Sequence, residues 1–144
     1  EGQHRQILDL HLTYSSINVM KILLIDDDVD DQEIFVLALK SLYKSVDILT
    51  AQDGMEALEI LKIFVPDCIF LDLNMPRMGG KECLAEMRKL LPLKNLPIVI
   101  YTTSSLDSDK RETKKLGASD YITKECDINL LKKSLSAFFN VHKF

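Results

Sequence analysis

The chain of 144 residues has 47% hydrophobic residues, 18 basic and 22 acidic side chains, and a formal net charge of −4. This length suits one globular domain with its own core, and the acidic balance argues against a nucleic-acid binder, because phosphate contacts require a basic surface. The three cysteines form no C-x-x-C pair, and no apolar run approaches the length of a membrane span. We therefore expect a cytoplasmic protein with free thiols that contacts neither nucleic acid nor a membrane.

The first 19 residues precede the earliest clear strand pattern, and Met20 is a natural start for the domain. We interpret residues 1–19 as a leader or N-terminal extension and residues 20–144 as the domain. The alternative is a short added helix that packs on the domain.

The first predicted strand, residues 21–25, is an apolar run that ends in two acids, Asp26 and Asp27. Uninterrupted runs of this kind are typical of strands that are buried on both faces of a parallel sheet. The run therefore predicts carboxylates at the carboxyl end of a central strand.

A helix is predicted over residues 32–42, with apolar side chains at helical spacing. Three further acids, Asp28, Asp30 and Asp31, precede it. Such residues cap free backbone amides and complement the positive end of the helix dipole, so we interpret all three as signals of a helix start.

The next elements are a short strand over residues 46–50, a helix over residues 55–63, and an apolar run within residues 67–76 that leads directly into Asp72. Pro76 ends this strand and turns the chain. Asp72 is therefore expected at a strand's carboxyl end, where open α/β sheets bind their ligands.

The rest of the chain continues the alternation of strand and helix, and two more polar side chains, Thr102 and Lys124, stand at strand ends. The predicted elements are a helix over residues 80–90, a strand over 97–101, a helix over 108–116, a strand over 121–123 and a helix over 128–139. Five β-then-α units with short links predict an α/β fold, a doubly wound parallel sheet with helices on both faces.

In such a sheet the side chains of Asp26, Asp27, Asp72, Thr102 and Lys124 meet at one rim. Two carboxylates about 4 Å apart repel each other by about 4 kcal/mol at an effective dielectric near 20, and a hard divalent cation relieves this. An all-oxygen site with open positions suits Mg²⁺, which typically bridges carboxylates to phosphate oxygens. Phosphoryl transfer to Asp72, with Lys124 and Thr102 binding the phosphoryl oxygens, would give each group a task.

These residues belong to segments that together, in this order, resemble the receiver domains of two-component response regulators. The matching segments are residues 22–27, 70–76, 79–80, 98–102 and 117–124. The resemblance covers Met20 to about Phe139. It implies a flavodoxin-like, CheY-like fold whose five parallel strands have the order 2-1-3-4-5.

The resemblance also implies a role for each acid. Asp72 would accept a phosphoryl group from the phosphohistidine of a histidine kinase or histidine phosphotransfer protein. Asp26, Asp27, Asp72 and the backbone carbonyl of Asn74 would bind Mg²⁺. The protein would then be a signalling phosphoacceptor rather than an enzyme, one that catalyses its own phosphotransfer and dephosphorylation.

The remaining site residues would bind the phosphoryl group and transmit the signal to the surface. Thr102 and Lys124 would bind its oxygens, and Thr102 with Tyr121 would form the switch, although a half-buried packing role is the alternative for Tyr121. The switch would change the surface of the fourth helix, fifth strand and fifth helix for a downstream protein target. Only about 20 residues follow Lys124, so we expect a stand-alone regulator.

Two positions depart from the family pattern. Glu125 stands where the family has a proline preceded by a cis bond, and cis before a non-proline costs about 3 kcal/mol. We therefore expect a trans or strained bond between Lys124 and Glu125. Thr103 is branched where the family has a very small residue, which would alter access to the phosphoryl group.

Two other functions remain open. A haloacid-dehalogenase-like phosphatase also uses a strand-end aspartate, Mg²⁺, a hydroxyl and a lysine; Asp26 would be its nucleophile and Asp28 its acid. The second is a phosphorylation-independent binding module built on the same fold.

Overall fold

A computed structural model describes residues 19–144 of the protein, so the predicted leader, apart from Val19, lies outside the described residues. The strands are β1 (Met20–Ile25), β2 (Val46–Ala51), β3 (Cys68–Leu71), β4 (Ile98–Thr102) and β5 (Asp120–Thr123). All pair in parallel, in the order β2-β1-β3-β4-β5, which confirms the predicted sheet.

Within residues 19–144, five α-helices alternate with the strands, again as predicted. They are α1 (Val29–Leu42), α2 (Gly54–Ile60), α3 (Gly80–Arg88), α4 (Asp107–Lys115) and α5 (Ile128–Val141). Two predicted boundaries were wrong by three residues: α1 begins earlier than residue 32, and α2 ends before residue 63. A short 3-10 helix over Leu91–Leu93 was not predicted.

The early start of α1 has a local cause. The Asp28 side chain accepts a hydrogen bond from the Asp31 amide at 3.1 Å, so Asp28 is the N-cap and Val29 is the first helical residue. Asp30 and Asp31 occupy the first turn, where their charge complements the dipole, as predicted.

Hydrophobic cores lie on both faces of the sheet, because successive side chains of each central strand point in opposite directions. On one face, Ile22 and Leu24 of β1 pack with Phe35 of α1 and with side chains of α5. On the other face, Leu23 and Ile25 pack with side chains of α2 and α3. The central strands are therefore fully enclosed, and they hold the residues that follow them in fixed positions.

Helix α3 approaches the end of β3 very closely at Gly80. A Cβ atom at this position would lie 2.2 Å from the Asp72 carbonyl oxygen and 2.6 Å from the Leu73 Cα. Only a residue without a side chain fits there. Gly80 thus lets α3 pack directly against the backbone that carries Asp72.

Candidate functional site

The predicted site residues lie together at the carboxyl rim of the sheet. Asp26 follows β1, Asp72 follows β3, Thr102 ends β4 and Lys124 follows β5. Backbone hydrogen bonds extend the ladders by one residue: the Asp72 amide donates to Ile25 O at 2.9 Å, and the Lys124 amide donates to Thr102 O at 2.7 Å. These bonds fix the backbone from which each functional side chain projects.

Three carboxylates form the acidic part of the site. Asp26, Asp27 and Asp72 each offer an oxygen, and these oxygens lie within 4.8 Å of one another. Asp26 is fully buried and Asp72 nearly so, whereas Asp27 is exposed. Burial raises the pKa of Asp26 to about 6, although the nearby ammonium of Lys124 acts in the opposite direction.

Asp26 is held in place by its neighbours. The Asp28 amide donates to its Oδ1 at 3.0 Å, and the Gln32 side chain donates to its backbone carbonyl at 2.5 Å. Its Oδ2 is buried and, within residues 19–144, makes no well-directed hydrogen bond, despite an ion-pair distance of 2.7 Å to Lys124 Nζ. The close set of three carboxylates, with Asp26 buried and fixed, is suited to a hard cation.

Lys124 is the counterion of this cluster. Its Nζ lies 2.7 Å from Asp26 Oδ2, 2.8 Å from Asp31 Oδ2 and 3.4 Å from Asp72 Oδ2, and its side chain is only 7% exposed. It also lies 5.3 Å from the centre of the Tyr101 ring. Burial lowers the pKa of Lys124, but the ion pairs with Asp26 and Asp31 outweigh this effect, so the pKa lies above its usual value.

The contact with Asp31 was missed by sequence reasoning, which gave this residue only a role at the helix start. Asp31 lies in the first turn of α1, and the N-terminus of this helix opens at the same rim as Lys124. The available signal was this topology: in a doubly wound sheet, the first turn of each helix lies beside the strand ends.

Thr102 and the predicted switch tyrosine occupy the other side of the site. The Thr102 Oγ1 is buried and makes no hydrogen bond in the described part of the chain, which leaves it available to a ligand oxygen. Tyr121 is half-buried, and its hydroxyl donates to the Ser104 carbonyl at 2.7 Å. This position is compatible with both interpretations of Tyr121, the switch and the packing residue.

The loop after Asp72 is anchored at two points. The Asn74 amide donates to Asp72 Oδ1 at 3.3 Å. Arg77 has a left-handed backbone, with φ of 63°, and its guanidinium pairs with the buried Asp53 at the start of α2. These contacts tie the loop that carries Asn74 to Asp72 and to the start of α2.

The two departures from the family pattern are visible at the same rim. Residues 19–144 contain no cis peptide bond, so the bond between Lys124 and Glu125 is trans, as expected. Thr103 is exposed. Lys124 reaches the acidic cluster with Glu125 in place of the proline.

The sequence model of a protein family, the response regulator receiver domain, matches residues 22–136. The chain belongs to this family. It is 31% identical to the response regulator Rcp1 of Synechocystis sp. over 119 residues, which cover 78% of this chain and 81% of Rcp1. It is also 37% identical over 105 residues to the sensor histidine kinase CheAY of Helicobacter pylori, covering 72% of this chain but only 13% of CheAY. The chain is therefore similar to proteins of about its own length and to a segment of a much longer one.

Solved receiver structures share the fold. The phosphorylated cyanobacterial phytochrome response regulator RcpA has a TM-score of 0.77 and 31% identity, over 84% of this chain and 91% of that chain. The Mn(2+)-bound form of Rcp1 has a TM-score of 0.74 and 29% identity, over 84% of this chain and 92% of that chain. The resemblance inferred from the strand-end motifs is confirmed, and so is the CheY-like fold.

The family match places this receiver domain in two-component signalling, in which such domains act with histidine kinases and downstream targets. It favours the regulator over the haloacid-dehalogenase-like phosphatase. Among residues 19–144, no helix combines the length and apolar character needed to cross a bilayer.

Proposed function

We propose that Asp72 is the phosphoacceptor of this receiver domain. Asp72 contributes to the three-carboxylate cluster, contacts Lys124, and follows β3, the strand that lies between β1, which precedes Asp26, and β4, which ends in Thr102. This central position is the observation that carries the assignment. The Asp72 side chain is nearly buried at the end of β3, where the sheet fixes its position.

In the proposed reaction, one Asp72 carboxylate oxygen attacks the phosphorus of a phosphohistidine on a histidine kinase or phosphotransfer protein. The new O–P bond forms as the N–P bond breaks, and the imidazole nitrogen keeps the bonding electron pair. Lys124 and the unpaired Thr102 hydroxyl bind phosphoryl oxygens once the group is on Asp72. The domain would thus promote its own phosphorylation. In the later dephosphorylation, water attacks the phosphorus as the Asp72 O–P bond breaks, which returns the Asp72 carboxylate and releases inorganic phosphate.

The acidic cluster would hold Mg²⁺ through Asp26, Asp27, Asp72 and the backbone carbonyl of Asn74. The close approach of three carboxylate oxygens and the burial of Asp26 support this proposal, and so does the Mn(2+)-bound form of Rcp1. When bound, the ion supplies positive charge that screens the anionic donor and acceptor from each other.

The signal would leave through the surface of α4, β5 and α5. A phosphoryl group adds a charge of about −1.5 to −2 near neutral pH. Movement of Thr102 toward it would displace the adjoining loop, and the Ser104 carbonyl in this loop holds the Tyr121 hydroxyl. We propose that the domain acts in the cytoplasm and docks on a downstream protein target.

The experiment is to incubate the protein with a small acyl phosphate and Mg²⁺ and to measure its intact mass. We expect a gain of one phosphoryl group in the wild type and none in Asp72→Asn. Asp67→Asn is the matched control, because it removes a carboxylate at the opposite end of the same strand. A wild type that gains no mass contradicts the proposal and favours a phosphorylation-independent module, whereas steady hydrolysis of phosphate esters that depends on Asp26 favours the phosphatase.

A further inference from the structure

Lys124 is shared unequally among its carboxylate partners. Its Nζ donates to Asp31 Oδ2 at 2.8 Å, whereas its contact with Asp72 Oδ2 is 3.4 Å long. The ammonium is thus nearer to a residue outside the predicted metal site than to the proposed phosphoacceptor.

The position of Asp31 is fixed by the start of α1. Its amide donates to the capping side chain of Asp28, and a helical Cβ is inclined toward the helix N-terminus, which here faces the site. Asp30, in the same turn, is exposed and forms no ion pair among residues 19–144. Two neighbouring aspartates therefore carry the same charge, but one of them contacts Lys124.

A phosphoryl group on Asp72 would compete with the present carboxylate partners for the N–H donors of Lys124. An ammonium has three N–H donors, and three carboxylates already surround it. Asp26 is buried and hydrogen-bonded through its backbone and side chain, so losing its counterion is costly. The Asp31 side chain is 32% exposed, so water replaces the lysine there at a lower cost.

We infer that Asp31 is a positioning residue: it holds Lys124 in the resting protein and releases it when the phosphoryl group forms. This inference rests on the proposed function of Asp72. Asp31 opposes the movement of Lys124 toward the phosphoryl group, so it lowers the affinity of the site for a phosphoryl group and sets the threshold for activation.

The test uses a fluoroberyllate anion as a phosphoryl mimic, titrated at saturating Mg²⁺. Asp31→Asn is expected to bind it roughly fivefold more tightly than the wild type, the factor that corresponds to a part-exposed ion pair. Asp30→Asn is the matched control with the same loss of charge in the same turn, and it should stay within about twofold of the wild type. Asp31→Glu keeps the carboxylate and should restore an affinity near that of the wild type.

A double-mutant cycle separates an effect through Lys124 from a general effect of charge. Asp31→Asn should no longer change the affinity for the mimic when Lys124 is replaced by Met. The cycle uses the wild type, Asp31→Asn, Lys124→Met and the double variant. Urea unfolding of these four proteins without divalent cations should show a coupling between positions 31 and 124 in the resting state.

Several outcomes overturn the inference: equal affinities of Asp31→Asn and Asp30→Asn, weaker binding by Asp31→Asn, or an unchanged effect in the Lys124→Met background. A wild type that takes neither the phosphoryl group nor the mimic defeats the proposed function instead. In that case the unfolding cycle still decides whether Asp31 holds Lys124, and a coupling of zero defeats the inference by itself.

Discussion

Two lysines of this receiver domain each contact more than one carboxylate, but in very different surroundings. The Lys124 cluster joins Lys124 to Asp26, Asp31 and Asp72, and the lysine side chain is 7% exposed. The Lys81 cluster joins Lys81 of α3 to Asp109 and Glu112 of α4, at 2.7 Å and 2.5 Å, and its lysine side chain is 38% exposed. The shortest ion pair of the Lys124 cluster, 2.7 Å to Asp26, and that of Lys81 with Asp109 have the same length, but the surroundings differ in burial.

Burial decides what each cluster does. In the Lys124 cluster, water does not readily replace a missing partner, so the carboxylates require either the ammonium or a cation. In the Lys81 cluster, water solvates whichever group is released, and the pairs contribute little to folding. The buried cluster is suited to respond to an added phosphoryl group, whereas the exposed cluster links two helices that can separate at low cost.

The largest expected effect is that of Lys124→Met on stability. Removing the ammonium leaves Asp26 and Asp72 buried without their counterion, which should lower the free energy of unfolding by about 3 kcal/mol at neutral pH without divalent cations. Urea denaturation measures this loss. Added Mg²⁺ should recover part of it, because a ligand of the native state stabilises that state.

The control for this prediction is Lys62→Met, which breaks an exposed pair with Glu59 on the surface near α2. It should leave the urea midpoint unchanged. If Lys124→Met is as stable as this control, the claim that burial separates the two lysine clusters is wrong.

A somewhat smaller effect is expected at Gly80, which lies between the two clusters: it touches the Asp72 backbone and precedes Lys81. The added methyl group of Gly80→Ala meets backbone atoms that no rotamer change can move, so α3 must shift, at a cost of about 2 kcal/mol. Thermal or urea unfolding measures the loss, and the phosphorylation of Asp72 should slow in the same variant.

Gly79→Ala is the matched control, because its Cβ would lie 3.7 Å from the nearest backbone atom, the Leu73 carbonyl oxygen, an ordinary contact. A similar loss of stability in both variants would show that the close packing of α3 on β3 is not the cause. Normal stability of Gly80→Ala would show that α3 moves without strain. It would argue against a rigid link, through Gly80, between the Asp72 backbone and Lys81.

The rim of the site could be predicted from sequence because its signals are local. An apolar run that ends in Asp72, or in Asp26, shows both the strand and the residue at its end, and the alternation of elements places all strand ends together. The strand order in the sheet came from the family resemblance, since the apolar runs alone do not show which strands are neighbours.

The contacts between distant residues could not be predicted in this way. Asp31 and Lys124 are 93 positions apart in the chain, and Asp31 already had a sufficient local explanation as a helix-start residue. The pairing of Lys81 with Asp109 likewise depends on how α3 and α4 lie on the sheet. Propensity and capping rules describe one element at a time, so they miss side chains that act between elements.

The smallest effect is expected for Lys81→Met. Because the Lys81 cluster is part-exposed, the urea midpoint at neutral pH should barely differ from that of the wild type, as for Lys89→Met, which breaks an exposed pair with Glu86 on the C-terminal side of α3. The sharper measurement is the titration of the Asp109 carboxyl by NMR. The Lys81 ammonium, with help from the Ser104 hydroxyl, holds the pKa of Asp109 below its ordinary value of 3.8.

Lys81→Met should raise this pKa toward the ordinary value, and Lys89→Met should not. Because the pKa of Asp109 is lower in the folded protein than in the unfolded chain, any stability contributed by the Lys81 pair is present above about pH 4 and is lost as the pH falls through the folded pKa. An unchanged Asp109 titration would mean that the Ser104 hydroxyl alone sets this pKa. The link between α3 and α4 would then not be electrostatic, and the two lysine clusters would differ in kind rather than in burial alone.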